Sequence, residues 1–263
     1  MSAERKRGIK GSKYDLHADR FFLPSSVETG GYLAVEDGVF GAYTQEKPVG
    51  EILDYTGKWI APGLVDTHIH GYHGHDVMDR DVAGLEAISK GLLSCGVTSF
   101  LPSTLTSTVE ILNEVCETIG QHHKEVTGAK IQGIFFEGPF FTEKHKGAQN
   151  PSYFTDPDLA VFKKWQDLSG GMIKKIAIAP EREGAAKFTA ALINEGVSVA
   201  LGHSDATYDQ AKASVEAGAS VFVQTYNGMS GLNHSEPGMV GAAMTPVGTV
   251  AELICGGQHV PRV

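Results

Sequence analysis

Several features are scarce in this 263-residue sequence, and each scarcity narrows what the protein can be. It holds three cysteines, Cys95, Cys116 and Cys255, without Cys-x-x-Cys spacing, so neither a disulfide framework nor a thiolate metal site is indicated. No apolar run reaches the ~20 residues that a membrane span needs. Acidic residues outnumber basic ones by 31 to 22, which gives a net charge of −9. The sequence therefore argues against nucleic acid or an anionic membrane as the main partner, and it favours a reducing, cytoplasmic compartment.

The beginning of the chain differs in composition from the rest of the sequence. Residues 1–13 contain five basic side chains but no apolar stretch, so we expect a flexible basic tail rather than a secretory signal. Residues 14–58 are typical of short strands separated by turns, as at residues 36–38, and they predict a small β unit. We expect a second, larger domain over residues 59–263.

In that larger domain, apolar strand-like runs alternate with segments of helical periodicity. The strand candidates are residues 60–67, 97–102, 130–136, 173–179, 197–201, 220–223 and 250–255. Strands that alternate with helices indicate parallel βαβ units. Seven such strands favour a (β/α)₈-type TIM barrel over a doubly wound sheet, with the last strand missing. In such barrels the chemistry lies at the carboxyl ends of the strands.

Histidine and glutamate recur at those strand ends. His68 and His70 end the first strand and face the same side, because side chains alternate along a strand. Glu137 ends the third strand, and His203 ends the fifth. Imidazole and carboxylate ligands are the donors that catalytic zinc uses, and they also suit Fe²⁺, Mn²⁺ and Co²⁺. The pattern therefore predicts a divalent metal centre, with Zn²⁺ as the first choice.

Several motifs resemble a known family. The run Pro-Gly-Leu-Val-Asp-Thr-His-Ile-His at residues 62–70 is similar to the first-strand signature of the amidohydrolase superfamily. Within that superfamily, four further motifs resemble N-acetylglucosamine-6-phosphate deacetylases. These motifs lie at residues 137–140, 146–149, 202–207 and 226–229.

The resemblance implies a metal-dependent hydrolase of amino sugar catabolism. Its substrate would be N-acetylglucosamine 6-phosphate, a small molecule, from which it would remove acetate to give glucosamine 6-phosphate. The fold would be a barrel flanked by a β-sandwich to which the N-terminal β unit contributes, and the assembly would be a homo-oligomer, namely a dimer. The implied metal ligands are Glu137, His203 and the residue at position 224, with His68 and His70 at the additional metal position of some members. The implied substrate-binding positions are Gln149, Asn227, Gly228, Ser235 and His259.

The chain departs from the family pattern at three places. Gln224 stands where the pattern has a histidine ligand, so metal binding is expected to be weaker. Ser235 stands where an arginine clamps the sugar phosphate, and loss of that charge-assisted contact would cost about 1.5–3 kcal/mol. The general base of the pattern is an aspartate at the end of an eighth strand, which would fall beyond Val263. The catalytic base is therefore unassigned.

Alternatives stay open at this point. The chain is either an impaired, truncated copy of such an enzyme or a chain that another chain completes. Another amidohydrolase, such as a D-amino-acid deacylase or a dihydroorotase, is an enzymatic alternative, although those enzymes often carry a carboxylated lysine at a strand end. A non-catalytic relative that binds a sugar phosphate or a metal is favoured by Gln224, by Ser235 and by the missing aspartate.

Overall fold

The computed structural model describes residues 11–261, which divide into two compact units, one up to Gly63 and one from Leu64 onward. Residues 1–10 of the expected basic tail lie outside the described residues, and Lys13 already begins the first strand. The strands of the first unit are β1 (Lys13–Phe22), β2 (Val27–Thr29), β3 (Tyr32–Glu36), β4 (Val39–Thr44) and β5 (Ile52–Ile60).

The first unit is one mixed five-stranded sheet. Its order is β2-β1-β3-β4, and β5 pairs with β1 in parallel. The β3–β4 hairpin turns at Asp37 and Gly38, whose φ angles of 52° and 79° suit the tight turns that match strand twist. Ala18, Phe21 and Leu33 form its small core. The implied sandwich needs a second, facing sheet, whereas the described strands of this unit form one sheet.

The second unit alternates strands with helices. Its strands are β6 (Leu64–Ile69), β7 (Gly71–Tyr72), β8 (His75–Asp76), β9 (Val97–Pro102), β10 (Lys130–Ile131), β11 (Ile134–Glu137), β12 (Ile173–Ile178), β13 (Ser198–Leu201), β14 (Val221–Phe222) and β15 (Val250–Ala251). Its helices are α1 (Val82–Leu93), α2 (Val109–His122), α3 (Leu159–Leu168), α4 (Ala185–Asn194), α5 (Tyr208–Glu216) and α6 (Gly238–Met244), with 3₁₀ turns at Val77–Asp79, Glu143–His145 and Pro151–Tyr153. No helix in residues 11–261 has the length and apolar composition needed to cross a bilayer.

The main strands of this unit are parallel and follow one another in chain order. They form the ladders β10-β9-β6 and β11-β12-β13-β14-β15, and a parallel bridge between Ser103 and Phe135 joins the two. The alternation of helices with parallel strands confirms the predicted α/β class. Among residues 11–261 no ladder pairs β6 with β15, so the sheet does not close into a barrel.

Strand alternation divides the core into an outer and an inner layer. On β11, Ile134 and Phe136 belong to the large cluster packed against the helices, whereas Phe135 belongs to a smaller cluster on the other face. Trp165 of α3 stacks on Phe136, with ring centroids 4.8 Å apart. The inner face also carries Glu137, two residues after Phe135. The outer layer therefore anchors the helices, and the inner layer carries the polar site.

We predict that Gly128 is required for close packing between the start of β10 and helix α1. A Cβ atom at Gly128 would overlap the backbone carbonyl of Ser89, whose oxygen accepts a hydrogen bond from the Ala129 amide at 2.8 Å. Gly128→Ala should therefore lower the free energy of unfolding by about 1–3 kcal/mol, measured by urea titration. Gly231→Ala is the control, because no atom lies within 4 Å of its added Cβ. Equal stability of both variants would contradict this packing.

Candidate metal centre

Four of the predicted ligands stand at the carboxyl ends of parallel strands. His68 lies in β6 and His70 follows it directly, Glu137 is the last residue of β11, and His203 follows β13 by two residues. Since these strands run in the same direction through one sheet system, their carboxyl ends share one edge. The side chains converge there.

Glu137 is the centre of the cluster. Its Oε1 lies 2.9 Å from His68 Nε2 and 3.5 Å from His203 Nε2, and its Oε2 lies 3.2 Å from His70 Nε2. Ligand atoms of His68, His70 and Glu137 all lie within 4.8 Å of one another. The two Nε2 atoms of His68 and His70 are 3.3 Å apart. Two nitrogens bound tetrahedrally to one zinc at about 2.0–2.1 Å would be separated by about 3.3 Å, so this spacing fits a shared ion.

Two of the histidines turn Nδ1 outward, to a backbone acceptor. His70 Nδ1 lies 3.2 Å from the carbonyl oxygen of Ser103, and His203 Nδ1 lies 2.9 Å from that of His145. Each carbonyl places the ring proton on Nδ1 and leaves the lone pair on Nε2. An imidazole held in this way is oriented for metal ligation, because its free nitrogen already faces the centre.

Burial and neighbouring groups oppose each other at Glu137. Burial by itself raises the pKa of this carboxyl, whose side chain is only 3% exposed. Contacts from His203, His68 and His70 outweigh burial and hold the pKa of Glu137 well below its usual value. At His68, burial lowers the pKa, but contacts with Glu137 and then Glu252 outweigh it and raise the pKa of His68 to about 9.

The residues of the cluster fit a cation. Glu137 Oε1 is buried and makes no aligned hydrogen bond within residues 11–261. It is an anionic acceptor facing imidazole nitrogens, and in native proteins such buried groups are normally paired or bound to a metal. The donor set of imidazole nitrogens and a carboxylate is the one that zinc and related divalent ions prefer.

Gln149 holds Glu137 from the opposite side. Its Nε2 donates to Glu137 Oε2 at 2.6 Å, and its Oε1 accepts from the Thr106 amide at 2.7 Å. Both ends of this buried amide are therefore engaged. Gln149, for which the resemblance implied substrate contact, orients the carboxylate in this structure, although it also lines the adjoining cavity.

A cavity of about 470 Å³ adjoins the cluster. Asn227, Gly228 and His259 line it, as do the ligand candidates His70, Glu137, His203 and Gln224. Asn227 Nδ2 is buried and has no hydrogen-bond partner in residues 11–261. Buried donors are normally paired in native proteins, so an unpaired one on a cavity-lining residue marks that residue as a functional candidate. The structure thus brings these predicted positions together.

Gln224 and Ser235, which replace a histidine and an arginine of the family pattern, differ in whether the structure brings them to the cluster. The side-chain nitrogen of Gln224, just after β14, lies 3.0 Å from His203 Nε2, so Gln224 reaches the cluster. Ser235 does not reach the cavity. It lies in an exposed loop, where its hydroxyl donates to Asn233 Oδ1 at 3.0 Å. The structure therefore does not bring Ser235 to the site.

Sequence reasoning missed Glu252. The strand predicted for residues 250–255 ends at Ala251, so Glu252 is a strand-end carboxylate. Its Oε2 lies 3.7 Å from His68 Nδ1, and its Oε1 forms an ion pair with Lys175. Burial raises the pKa of Glu252, but the contacts with His68 and Lys175 outweigh it, so the pKa lies below the usual value. A strand boundary placed three or four residues earlier would have revealed it.

Lys175 was also missed. It lies within β12 and is 5% exposed, with Nζ 4.1 Å from the centroid of the Phe135 ring. Burial lowers the pKa of Lys175, and the neighbouring Glu252 opposes that shift. A lysine that follows Lys174 is normally interpreted as solvent-facing. Lys175 lies two residues before the buried inner residue Ala177 and so faces the same side of the strand, which was the signal available in the sequence.

The loop that carries His145 is held by Asp205. Asp205 Oδ1 lies 3.0 Å from His145 Nε2 and 2.8 Å from Lys144 Nζ. The Asp205 amide donates to Glu181 Oε1 at 2.7 Å. The Lys144 ammonium is the main reason that the pKa of Asp205 lies below its usual value. This network fixes the segment whose carbonyl orients His203.

Known proteins that resemble the chain are deacetylases of phosphorylated amino sugars, while no protein-family model matches it. It is 41% identical over 202 residues to N-acetylglucosamine-6-phosphate deacetylase of Vibrio furnissii, and the match covers 76% of this chain and 51% of that protein. It is 38% identical over 229 residues to N-acetylgalactosamine-6-phosphate deacetylase of Escherichia coli O157:H7, with 87% and 60% covered. The chain thus spans 51–60% of the length of these curated relatives.

The chain is also similar to the solved structure of such a deacetylase. The D267A mutant of N-acetyl-D-glucosamine-6-phosphate deacetylase from Mycobacterium smegmatis, in complex with N-acetyl-D-glucosamine-6-phosphate, superposes with a TM-score of 0.86 at 30% identity. The match covers 95% of this chain and 65% of that one.

We predict that Gln224→His strengthens metal binding. A neutral imidazole beside His203 is a better ligand for zinc than an amide oxygen, so the dissociation constant for Zn²⁺ should fall about tenfold or more. Chelator competition measures it. Gln121→His, which adds an imidazole at an exposed position of α2, is the control and should leave the affinity unchanged. Unchanged affinity in Gln224→His would contradict a place for residue 224 in the metal centre.

Proposed function

We propose that the chain, which is similar to the N-acetylglucosamine-6-phosphate deacetylases, hydrolyses the acetamide bond of N-acetylglucosamine 6-phosphate to give acetate and glucosamine 6-phosphate. The observation that carries the proposal is the convergence of His68, His70, Glu137 and His203 beside a cavity lined by Asn227 and Gly228.

The cofactor that we propose is Zn²⁺. Glu137, His203 and the Nε2 atoms of His68 and His70 would hold it, and Gln224 would stand next to it. When bound, a divalent cation polarises an amide carbonyl and lowers the pKa of a bound water towards ~7. Fe²⁺, Mn²⁺ and Co²⁺ suit the same donors, so the identity of the metal has to be varied in the activity assay.

The residues of this chain then bind and orient the substrate. Asn227 in the cavity wall contacts the sugar, and His259 in the same wall contacts the sugar or its acetamide. Gly228 allows the wall to lie close to the cluster, because its φ is 58° and an added Cβ would lie 2.9 Å from Nε2 of the Gln224 side chain. Gln149 keeps the Glu137 carboxylate aligned. Holding the substrate and the catalytic groups in a fixed geometry lowers the activation barrier of the reaction.

The proposed reaction also needs a proton acceptor. Within residues 11–261, the carboxylates at the cluster are Glu137 and Glu252, and both face histidine or lysine partners. The resemblance implies an aspartate as the base, and neither of these carboxylates is one, so acetate release by this chain requires that another residue or a partner chain accept the proton.

The proposed assembly is a homodimer in the cytoplasm. Leu64 and Val65 on β6 are 61% and 63% exposed, and Val250 on β15 is 60% exposed. Leu64 and Val65 line a further cavity of about 680 Å³ that reaches Glu252. Within residues 11–261 β6 and β15 each lack a partner strand on one side, and exposed apolar residues at such an edge favour coverage by a second copy of the chain. The three free cysteines are compatible with a reducing compartment.

A second candidate is binding of the sugar phosphate without turnover. It is favoured by Gln224, which stands at the cluster where the pattern has a histidine ligand, and by the lack of the implied aspartate base. Ser235, turned into an exposed loop, also leaves the phosphate without one charged partner, so this binding should be weak.

We predict that the purified chain releases acetate from N-acetylglucosamine 6-phosphate when Zn²⁺, Mn²⁺ or Fe²⁺ is supplied in turn. Glu137→Ala should abolish both acetate release and metal uptake, because it removes the central ligand. Glu183→Ala removes an exposed carboxylate and is the control. A folded, metal-loaded chain that binds the sugar phosphate by calorimetry but releases no acetate would favour the second candidate. Metal uptake unchanged in Glu137→Ala would refute the site.

A further inference from the structure

We infer that Glu252, held in place by Lys175, is a positioning residue that orients His68 as an Nε2 ligand of the metal centre. The inference rests on the proposed metal-dependent function and deepens it, because neither residue belongs to the ligand set. It concerns the side of the His68 ring that faces away from Glu137.

His68 differs from its partners in what it meets at Nδ1. The Nδ1 atoms of His70 and His203 face backbone carbonyls at 3.2 and 2.9 Å. His68 Nδ1 faces the Oε2 atom of Glu252 at 3.7 Å, while its Nε2 faces Glu137 at 2.9 Å. A negative charge beside the outer nitrogen of a metal-binding imidazole favours the tautomer with its proton on that nitrogen and makes the inner nitrogen a stronger donor.

The oxygen of Glu252 that faces His68 is not engaged by another donor within residues 11–261. Thr67 Oγ1 donates to Oε1 at 3.3 Å, and Lys175 Nζ donates to the same oxygen. Oε2 is buried and has no hydrogen-bond partner within residues 11–261. The separation of 3.7 Å between His68 Nδ1 and Oε2 is longer than a hydrogen bond, so the carboxylate acts on the ring through its charge.

Lys175 stabilises the negative charge of Glu252 beside His68. Its side chain is 6% exposed, and the Glu252 side chain is 24% exposed, so the pair is largely withdrawn from solvent. The ammonium lies 4.1 Å from the Phe135 ring centroid, and the His68 ring packs nearly perpendicular to the same phenyl ring with centroids 4.8 Å apart. Phe135 therefore sets the spacing between the ion pair and the histidine.

The test is the affinity for Zn²⁺, measured by chelator competition, and for Co²⁺, followed by its visible absorption. We expect Glu252→Gln to weaken both about 10–100-fold, the range for lost outer partners of metal-binding histidines. Glu216→Gln breaks an exposed lysine–glutamate pair on α5 and removes the same charge, so it is the control and should bind like wild type.

Glu252→Gln alone leaves Lys175 as an unpaired buried cation, which could unfold the chain or repel the metal. The double variant Lys175→Met/Glu252→Gln removes both charges and has the same predicted loss of affinity. Urea unfolding of each metal-free variant reports its stability separately. A double variant that is folded and binds metal as wild type does would overturn the inference.

A mutant cycle separates orientation of His68 from a general effect on the centre. In a His68→Gln background, Glu252→Gln should have no further effect on affinity, whereas in a His70→Gln background it should keep its full effect. Equal losses in both backgrounds would overturn the inference. Failure of the wild-type chain to take up metal would overturn the proposed function together with it, whereas normal uptake with unaltered Glu252→Gln affinity overturns the inference alone.

Discussion

The charge of one buried carboxylate, Glu137, organises the second unit. A carboxylate cannot be taken from water into a protein interior unless other groups compensate its charge. Three imidazoles and the Gln149 amide provide that compensation, and they come from three separate segments of the chain. Each segment is in turn anchored to a strand end or a loop. The architecture around the cluster is therefore the means by which distant residues are held against one negative charge.

Strand geometry explains why this arrangement is compatible with a stable core. Successive residues of β11 face opposite sides, so Phe136 packs on Trp165 while Phe135 and Glu137 serve the inner face. The same alternation places Lys175 inside. Hydrophobic burial on the helix side supplies stability, and the inner side is left for charged groups that stabilise the fold weakly but determine chemistry.

The parallel fold and most of the cluster were predictable from the sequence, because long apolar runs with a polar residue at their end signal both. His68, Glu137 and His203 each follow such a run. Glu252 was not predictable, since β15 is two residues long and its boundary depends on pairing with β14 rather than on propensity. Ser235 shows another limit, because a motif position carries a residue type but not the conformation of the loop around it.

The hydrogen bond between His203 Nδ1 and the carbonyl of His145 has a consequence for how this site can change over time. Gly147, Ala148 and Gln149, which follow His145 closely, form part of the cavity wall, so the same short segment serves both the metal-ligand cluster and the cavity. A substitution in that loop therefore alters both the orientation of His203 and the cavity wall. Evolution of a new ligand specificity through this segment would therefore be accompanied by a change in metal binding, whereas substitutions around Asn227 would affect the metal-ligand cluster less.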